Sequence, residues 1–199
     1  MGTDALRGRA IWQDASGAKA TTAEYDFYSV FAETFKGTPY RIRPKPQEFN
    51  NIYVGIELSP EVLAEIHTPT ECIKKHGISP DYAIDNTVTK KTIYVEVKRQ
   101  DGWVEGGKRS DGRGNAHERS CKYFTPGLLE ILRGQGHIGD DVLPFWTVFQ
   151  GDIARDPCRV REITCWYKGH ESHFFFWRNS RDKQPLLDHF NSRIKKLLD

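Results

Sequence analysis

Asp81, which follows Pro80, and Glu96 and Lys98, which flank Val97, supply two carboxylates and an amine within an 18-residue stretch of the chain. From Ile93 to Lys98 the residues alternate, with Ile93, Val95 and Val97 on one face and Tyr94, Glu96 and Lys98 on the other, which predicts a strand. Residues two apart on a strand share a face, so Glu96 and Lys98 point the same way. Tyr82–Ile84 predicts a shorter strand and Asp85-Asn86-Thr87 has turn chemistry, so a hairpin would set Asp81 beside Glu96. Two carboxylates at that range raise each other's pKa unless a cation lies between them. Mg²⁺ suits the place: it takes carboxylates, a carbonyl such as that of Val97, water and phosphate oxygens, and it acidifies a bound water. Lys98 would then stabilise charge in phosphodiester hydrolysis and help position or deprotonate the attacking water. Glu-x-Lys on a strand is also an ordinary solvated, self-paired face, and on these residues alone both readings stand.

A second constellation follows at Asp111-Gly112-Arg113-Gly114-Asn115-Ala116-His117-Glu118-Arg119. Gly112 and Gly114 make a permissive loop, and Asn115 with Glu118 three residues on has capping-box spacing, so a helix is predicted from Ala116 through Cys121 and Tyr123. Thr125-Pro126 starts another, ending before Gly134. Asn115 and Glu118 either cap that helix or, with Arg113 and Arg119, enter a major groove, where Asn pairs with adenine and Arg with guanine.

Gly114-Asn115-Ala116-His117-Glu118-Arg119-Ser120 resembles the recognition motif of type II restriction endonucleases of the EcoRI/MunI family. Pro80-Asp81 with Glu96-Val97-Lys98 is similar to the PD-(D/E)XK nuclease motif at the expected place before it. The resemblance continues through Lys98–Gly106, Phe124–Leu129, Arg155-Asp156-Pro157 and Arg159–Thr164. It implies a restriction-endonuclease-like α/β fold with a mixed central sheet flanked by helices. It also implies catalytic Asp81, Glu96 and Lys98, with Mg²⁺ on Asp81, Glu96 and Val97. DNA would be contacted by the segment Arg113, Gly114, Asn115, Ala116, His117, Glu118 and Arg119. Within it, Asn115, Ala116 and Arg119 would read an inner AATT, Glu118 would hold Arg119, and Arg113 would read an outer C·G pair. The implied substrate is double-stranded DNA containing CAATTG, cut after the first base to leave 5′ AATT ends. A homodimer with one half-site per protomer is implied, with its interface on the helices after Asn115 and after Pro126, together with a companion DNA methyltransferase. Two rivals remain at this point. A structure-specific or repair nuclease needs the triad without the 114–120 motif; a non-catalytic DNA-binding protein needs the motif without the amine.

The elements that must position these residues fit one domain over 1–199, and 38% hydrophobic content is adequate for a core. A net charge of +2 does not announce a nucleic-acid binder, although Lys90–Lys122 holds nine Lys/Arg against five Asp/Glu. Arg178, Arg181 and Lys183 are weaker candidates for phosphate contacts. Ala23–Phe35 predicts a helix with Tyr25, Phe27, Tyr28, Phe31 and Phe35 mostly inward, carrying Glu24 and Glu33 as candidate extra acids near the metal, though exposed charges fit them better. A loop is expected over Arg41–Gln47, a strand over Ile52–Leu58 and a short helix over Pro60–His67. Further strands are expected over Phe145–Phe149, Glu162–Tyr167 and His173–Trp177, and a terminal helix over Leu186–Leu198. Cys72, Cys121, Cys158 and Cys165 lack metal-ligand spacing and read as free thiols of a cytoplasmic protein. The histidines offer no plausible zinc constellation, and no signal peptide or membrane-spanning run is evident.

Overall fold

The computed structural model of the chain describes residues 3–65 and 74–199, with the side chains of the first helix described from residue 18 onward. In chain order come helix α1 (Thr3–Thr34), strand β1 (Tyr40–Pro44), α2 (Pro60–Glu65), β2 (Tyr82–Asn86), β3 (Thr92–Gln100), β4 (Val104–Glu105) and β5 (Lys108–Arg109). A 3-10 helix (Ala116–Phe124), α3 (Pro126–Gly136), β6 (Phe145–Gly151), α4 (Pro157–Trp166) and β7 (Phe174–Trp177) follow. The last helical segment joins α5 (Gln184–His189), a π-helical turn (Phe190–Ile194) and α6 (Lys195–Leu198).

Five strands form a mixed sheet in the order β1-β2-β3-β6-β7. The first three run antiparallel, and β6 and β7 continue parallel to β3. Each face carries a core. Ile93, Val95 and Val97 of β3 pack with Phe27 and Phe31 of α1 and Phe35 just past its end, with Trp146, and with Phe190 and Ile194 of the terminal segment. The aromatics of α1 recur every four residues and so share one stripe; the rings of Phe27 and Phe31 lie 5.6 and 5.9 Å from that of Trp146. Each such burial contributes roughly 2 kcal/mol, so packing rather than propensity pins α1 to the sheet. On the other face Tyr94 joins Phe145, Phe149, Tyr123, Leu128, Leu132, Ile163 and Tyr167. This is the expected α/β architecture, with the chemistry-bearing β3 at its centre.

Several local expectations fail for identifiable reasons. Arg41–Gln47 is not all loop: β1 occupies Tyr40–Pro44 at the sheet edge, where Pro44 has no ladder partner to lose on its outer side. Ile52–Leu58 forms turns rather than a strand, and Ile56 and Leu58 stay exposed without a sheet to join. Glu162–Tyr167 has strand composition but lies mostly in α4. Asp156 caps that helix by accepting hydrogen bonds from the backbone N–H groups of Cys158 and Arg159, and Pro157 starts it. Asp85 and Asn86 belong to β2, and the Asn86 side chain organises the turn beyond by accepting from the N–H of Val88 and Thr89. Tyr25 points outward, α1 begins far upstream of Ala23, and α3 continues two residues past Gly134 before His137 turns left-handed. Helix α2 covers Pro60–Glu65; the rest of the expected Pro60–His67 helix and Cys72 lie outside the described residues. Cys121, Cys158 and Cys165 are free thiols.

Candidate active site and base-reading arm

β2 and β3 pair antiparallel with Tyr82 opposite Val95, which brings Asp81, just before β2, beside the end of β3 that carries Glu96. The backbone N–H of Val97 donates to Asp81 Oδ2 at 2.9 Å, fixing that carboxylate against the strand. Asp81 and Glu96 are 6% and 4% exposed, so their charge is poorly solvated. The Lys98 ammonium stands among them: its Nζ is 3.3 Å from Asp81 Oδ2 and 3.4 Å from the Val97 carbonyl oxygen, and it donates to Glu96 Oε2. Three oxygens therefore surround one cationic atom, and they belong to the three residues expected to hold a metal.

The electrostatics follow from that crowding. Burial raises the pKa of Asp81, but Lys98, Lys45 and the Val97 N–H outweigh it and hold the carboxylate below its usual range. Burial, with Asp81 adding to it, pushes Glu96 above its usual range despite Lys98 and Tyr123. Burial acts to lower Lys98, yet Glu96 and Asp81 prevail and raise it, so the amine is an ammonium at neutral pH.

Three further groups stand at the site. Lys45 Nζ donates to Asp81 Oδ1 at 2.7 Å and to Glu24 Oε2 at 3.1 Å. The Tyr123 hydroxyl, wholly buried, donates to Glu96 Oε1. Glu24 is thus one cation removed from Asp81, whereas Glu33 pairs with Lys36. Lys45 lay in a stretch expected to be loop; its only sequence mark is the pair of prolines, Pro44 and Pro46, that brackets it, and its φ of 43° is rare for a non-glycine. A second buried carboxylate, Asp85 on β2, is neutralised by Arg41 and Arg43 of the edge strand β1 and accepts a hydrogen bond from the Thr92 hydroxyl.

The arm expected to read bases leaves the site through Gly102, whose Cα lies so close to the Arg113 backbone that a Cβ there would sit 1.8 Å from the Arg113 nitrogen. Beyond the arm, the helix expected from Ala116 is 3-10 rather than α. Its buried residues are His117, Ser120 and Tyr123, a repeat of three that matches three residues per turn. Asn115 does not cap it: the side-chain oxygen instead accepts from Arg159 Nη2 at 2.9 Å. The Glu118 carboxylate has no hydrogen bond or ion pair with the Arg119 side chain and lies 3.8 Å from Arg159. His117 is completely buried, with Nε2 at 2.8 Å from Glu162 and its ring stacked on Trp166. Gly114 has open space around it and Ala116 is half-buried. Arg119 is exposed and has no hydrogen bond or ion pair with the described residues. Of the weaker phosphate candidates, Arg178 is tied to Asp152 at 3.3 Å.

The family model described as type II restriction enzyme MunI matches residues 1–199. The chain belongs to the MunI family of type II restriction enzymes. The MunI enzyme of Mycoplasma sp is 50% identical over 202 residues, which covers the whole of both chains. The crystal structure of MunI restriction endonuclease in complex with cognate DNA superimposes with a TM-score of 0.79 at 49% identity, covering 94% of this chain and 97% of that one. A MunI-family member is a nuclease that cuts DNA at a specific site, so the repair-nuclease and non-catalytic readings are set aside. Enzymes of this type generally need a divalent metal. Among the described residues no three His, Cys, Asp or Glu side chains converge as a metal cluster. Three hard oxygens already gathered around a cation fit a divalent metal well. No helix among the described residues is long and apolar enough to cross a membrane.

Proposed function

We propose that this protein hydrolyses both strands of duplex DNA at C^AATTG, leaving 5′ AATT ends, with Mg²⁺ as its cofactor. The observation that carries the chemistry is the convergence of Asp81, Glu96 and the Val97 carbonyl on one cationic point, with Lys98 supplying the cation in the free chain. When bound by those three groups, Mg²⁺ supplies charge neutralisation at the phosphate and a more acidic water. Lys98, raised and therefore charged, acts by donating to the phosphate oxygens and the attacking water rather than by taking a proton. Tyr123 and the Val97 N–H hold Glu96 and Asp81 in place. Asn115, Ala116 and Arg119 read the inner AATT and Arg113 the outer C·G pair, and the unpaired guanidinium of Arg119 is ready for a purine edge. His117, sunk against Trp166, supports the arm from below.

The palindrome calls for a homodimer, one half-site to each protomer, with the 3-10 helix and the outer face of α3 as the interface. We further infer that residues 1–199 act as one domain in the cytoplasm, where a companion methyltransferase modifying the same site protects the host DNA. The specificity is tested by cleavage of a panel of duplexes that keep AATT and vary the outer pair through all four possibilities. Cutting confined to CAATTG agrees with the reading. Equal or better cutting of another outer pair removes the role given to Arg113.

A further inference from the structure

The Arg155–Thr164 stretch stands out in the sequence, yet nothing in the chemistry above uses it. In the fold it is the start of α4, packed beneath the reading arm. Asp156, completely buried, accepts a hydrogen bond from Arg113 Nε on one carboxylate oxygen while the other caps α4. The bond to Nε matters because a guanidinium has three nitrogens. Nη1 and Nη2 of Arg113 have no partner among the described residues, so the two-pronged end remains free while the stem is held. Three residues further along α4, Arg159 donates Nη2 to Asn115 Oδ1 and Nη1 to Glu162 at 2.8 Å. Arginine only donates, so the atom of Asn115 facing it must be the oxygen, which fixes the amide's orientation and turns its NH₂ group away. Oδ1 keeps a second lone pair for an adenine amino group.

We propose that Asp156 is a specificity-determining positioning residue: it presets the Arg113 guanidinium for the outer base pair, while Arg159 from the same helix turn sets Asn115 for the inner one. Neither touches DNA. They remove rotamer freedom from the reading side chains before binding, so discrimination is not spent on ordering them. The inference rests on the assignment of Arg113 to the outer pair.

The test compares Arg113→Ala, Asp156→Asn and the double variant in Ca²⁺-supported binding and Mg²⁺-supported cleavage of duplexes varied at the outer or the inner pairs. Asparagine keeps the helix cap while removing the negative charge that faces Arg113; Asp156→Ser, also a capping residue, replaces it if the first variant does not fold. The expected result is that Asp156→Asn lowers outer-pair discrimination by about tenfold, leaves AATT discrimination unchanged, and adds nothing in the Arg113→Ala background. Unchanged outer discrimination in Asp156→Asn, with a loss in Arg113→Ala, overturns the inference and leaves the Arg113 assignment intact. An equal loss at inner and outer pairs also overturns it, since general damage to the arm acts on both. No loss in Arg113→Ala overturns the assignment itself, and the inference with it.

Discussion

The charge balance at Lys98 decides how the clustered side chains behave. Two buried carboxylates face one ammonium, and the imbalance is met in part by Lys45 on the far oxygen of Asp81. Replacing either carboxylate with its amide keeps shape and removes charge. Asp81→Asn and Glu96→Gln are therefore expected to abolish cleavage while retaining sequence-selective binding, measured by gel shift in Ca²⁺ and single-turnover cleavage in Mg²⁺; undiminished cutting by either would remove the assigned site. Lys98→Ala should slow cleavage by roughly 10²–10³-fold, the usual loss for one charge-stabilising donor, with little change in affinity. The convergence of Asp81, Glu96 and Lys98 was legible because strand alternation and a motif coincide. Lys45 and Tyr123 were not, because each reaches the site from an element distant in sequence.

Among the elements, the hairpin of β2 and β3 was readable in advance because period-two alternation fixes which side chains share a face. The 3-10 strut and α4 were not. Asn115 with Glu118 looks like a capping box, but Arg159 takes the asparagine oxygen and burial recurs every three residues. Glu162–Tyr167 looks like a strand, but the Asp156 cap and Pro157 start a helix ahead of it. In the first case a partner 44 residues along the chain overrode local composition, and in the second a cap and a proline just upstream did. The close approach of Gly102 to Arg113 gives this scale its own expectation. Gly102→Ala should displace the arm and weaken selective binding by at least tenfold while the far-ultraviolet circular dichroism stays unchanged, since a Cβ there collides with backbone and not with the sheet core. Selective binding at the wild-type level would show that the arm does not need this approach.

For the whole molecule, the sheet with a core on each face was legible as α/β, because strands and helical stripes alternate along the chain. Its acid sensitivity was not, because that depends on burial. Burial, with His170 adding to it, pushes His173 down to about 4 in the folded protein, whereas the unfolded chain titrates at the ordinary value of 6.5. Between those values the unfolded state binds more protons, so the contribution is complete above about 6.5 and is lost as pH falls towards 4. It is worth at most about 3 kcal/mol. Denaturant unfolding should show stability rising with pH across this window, with a shallower slope in His173→Gln; an unchanged slope would place the acid sensitivity elsewhere.

The most direct test of the central claim is digestion of a plasmid of known sequence by the purified protein with Mg²⁺, followed by sequencing of the ends. Discrete fragments beginning 5′ AATT at CAATTG sites, and no cutting when the metal is chelated, are the expected result. Fragments ending at sites without AATT, or cutting that survives chelation, would contradict it.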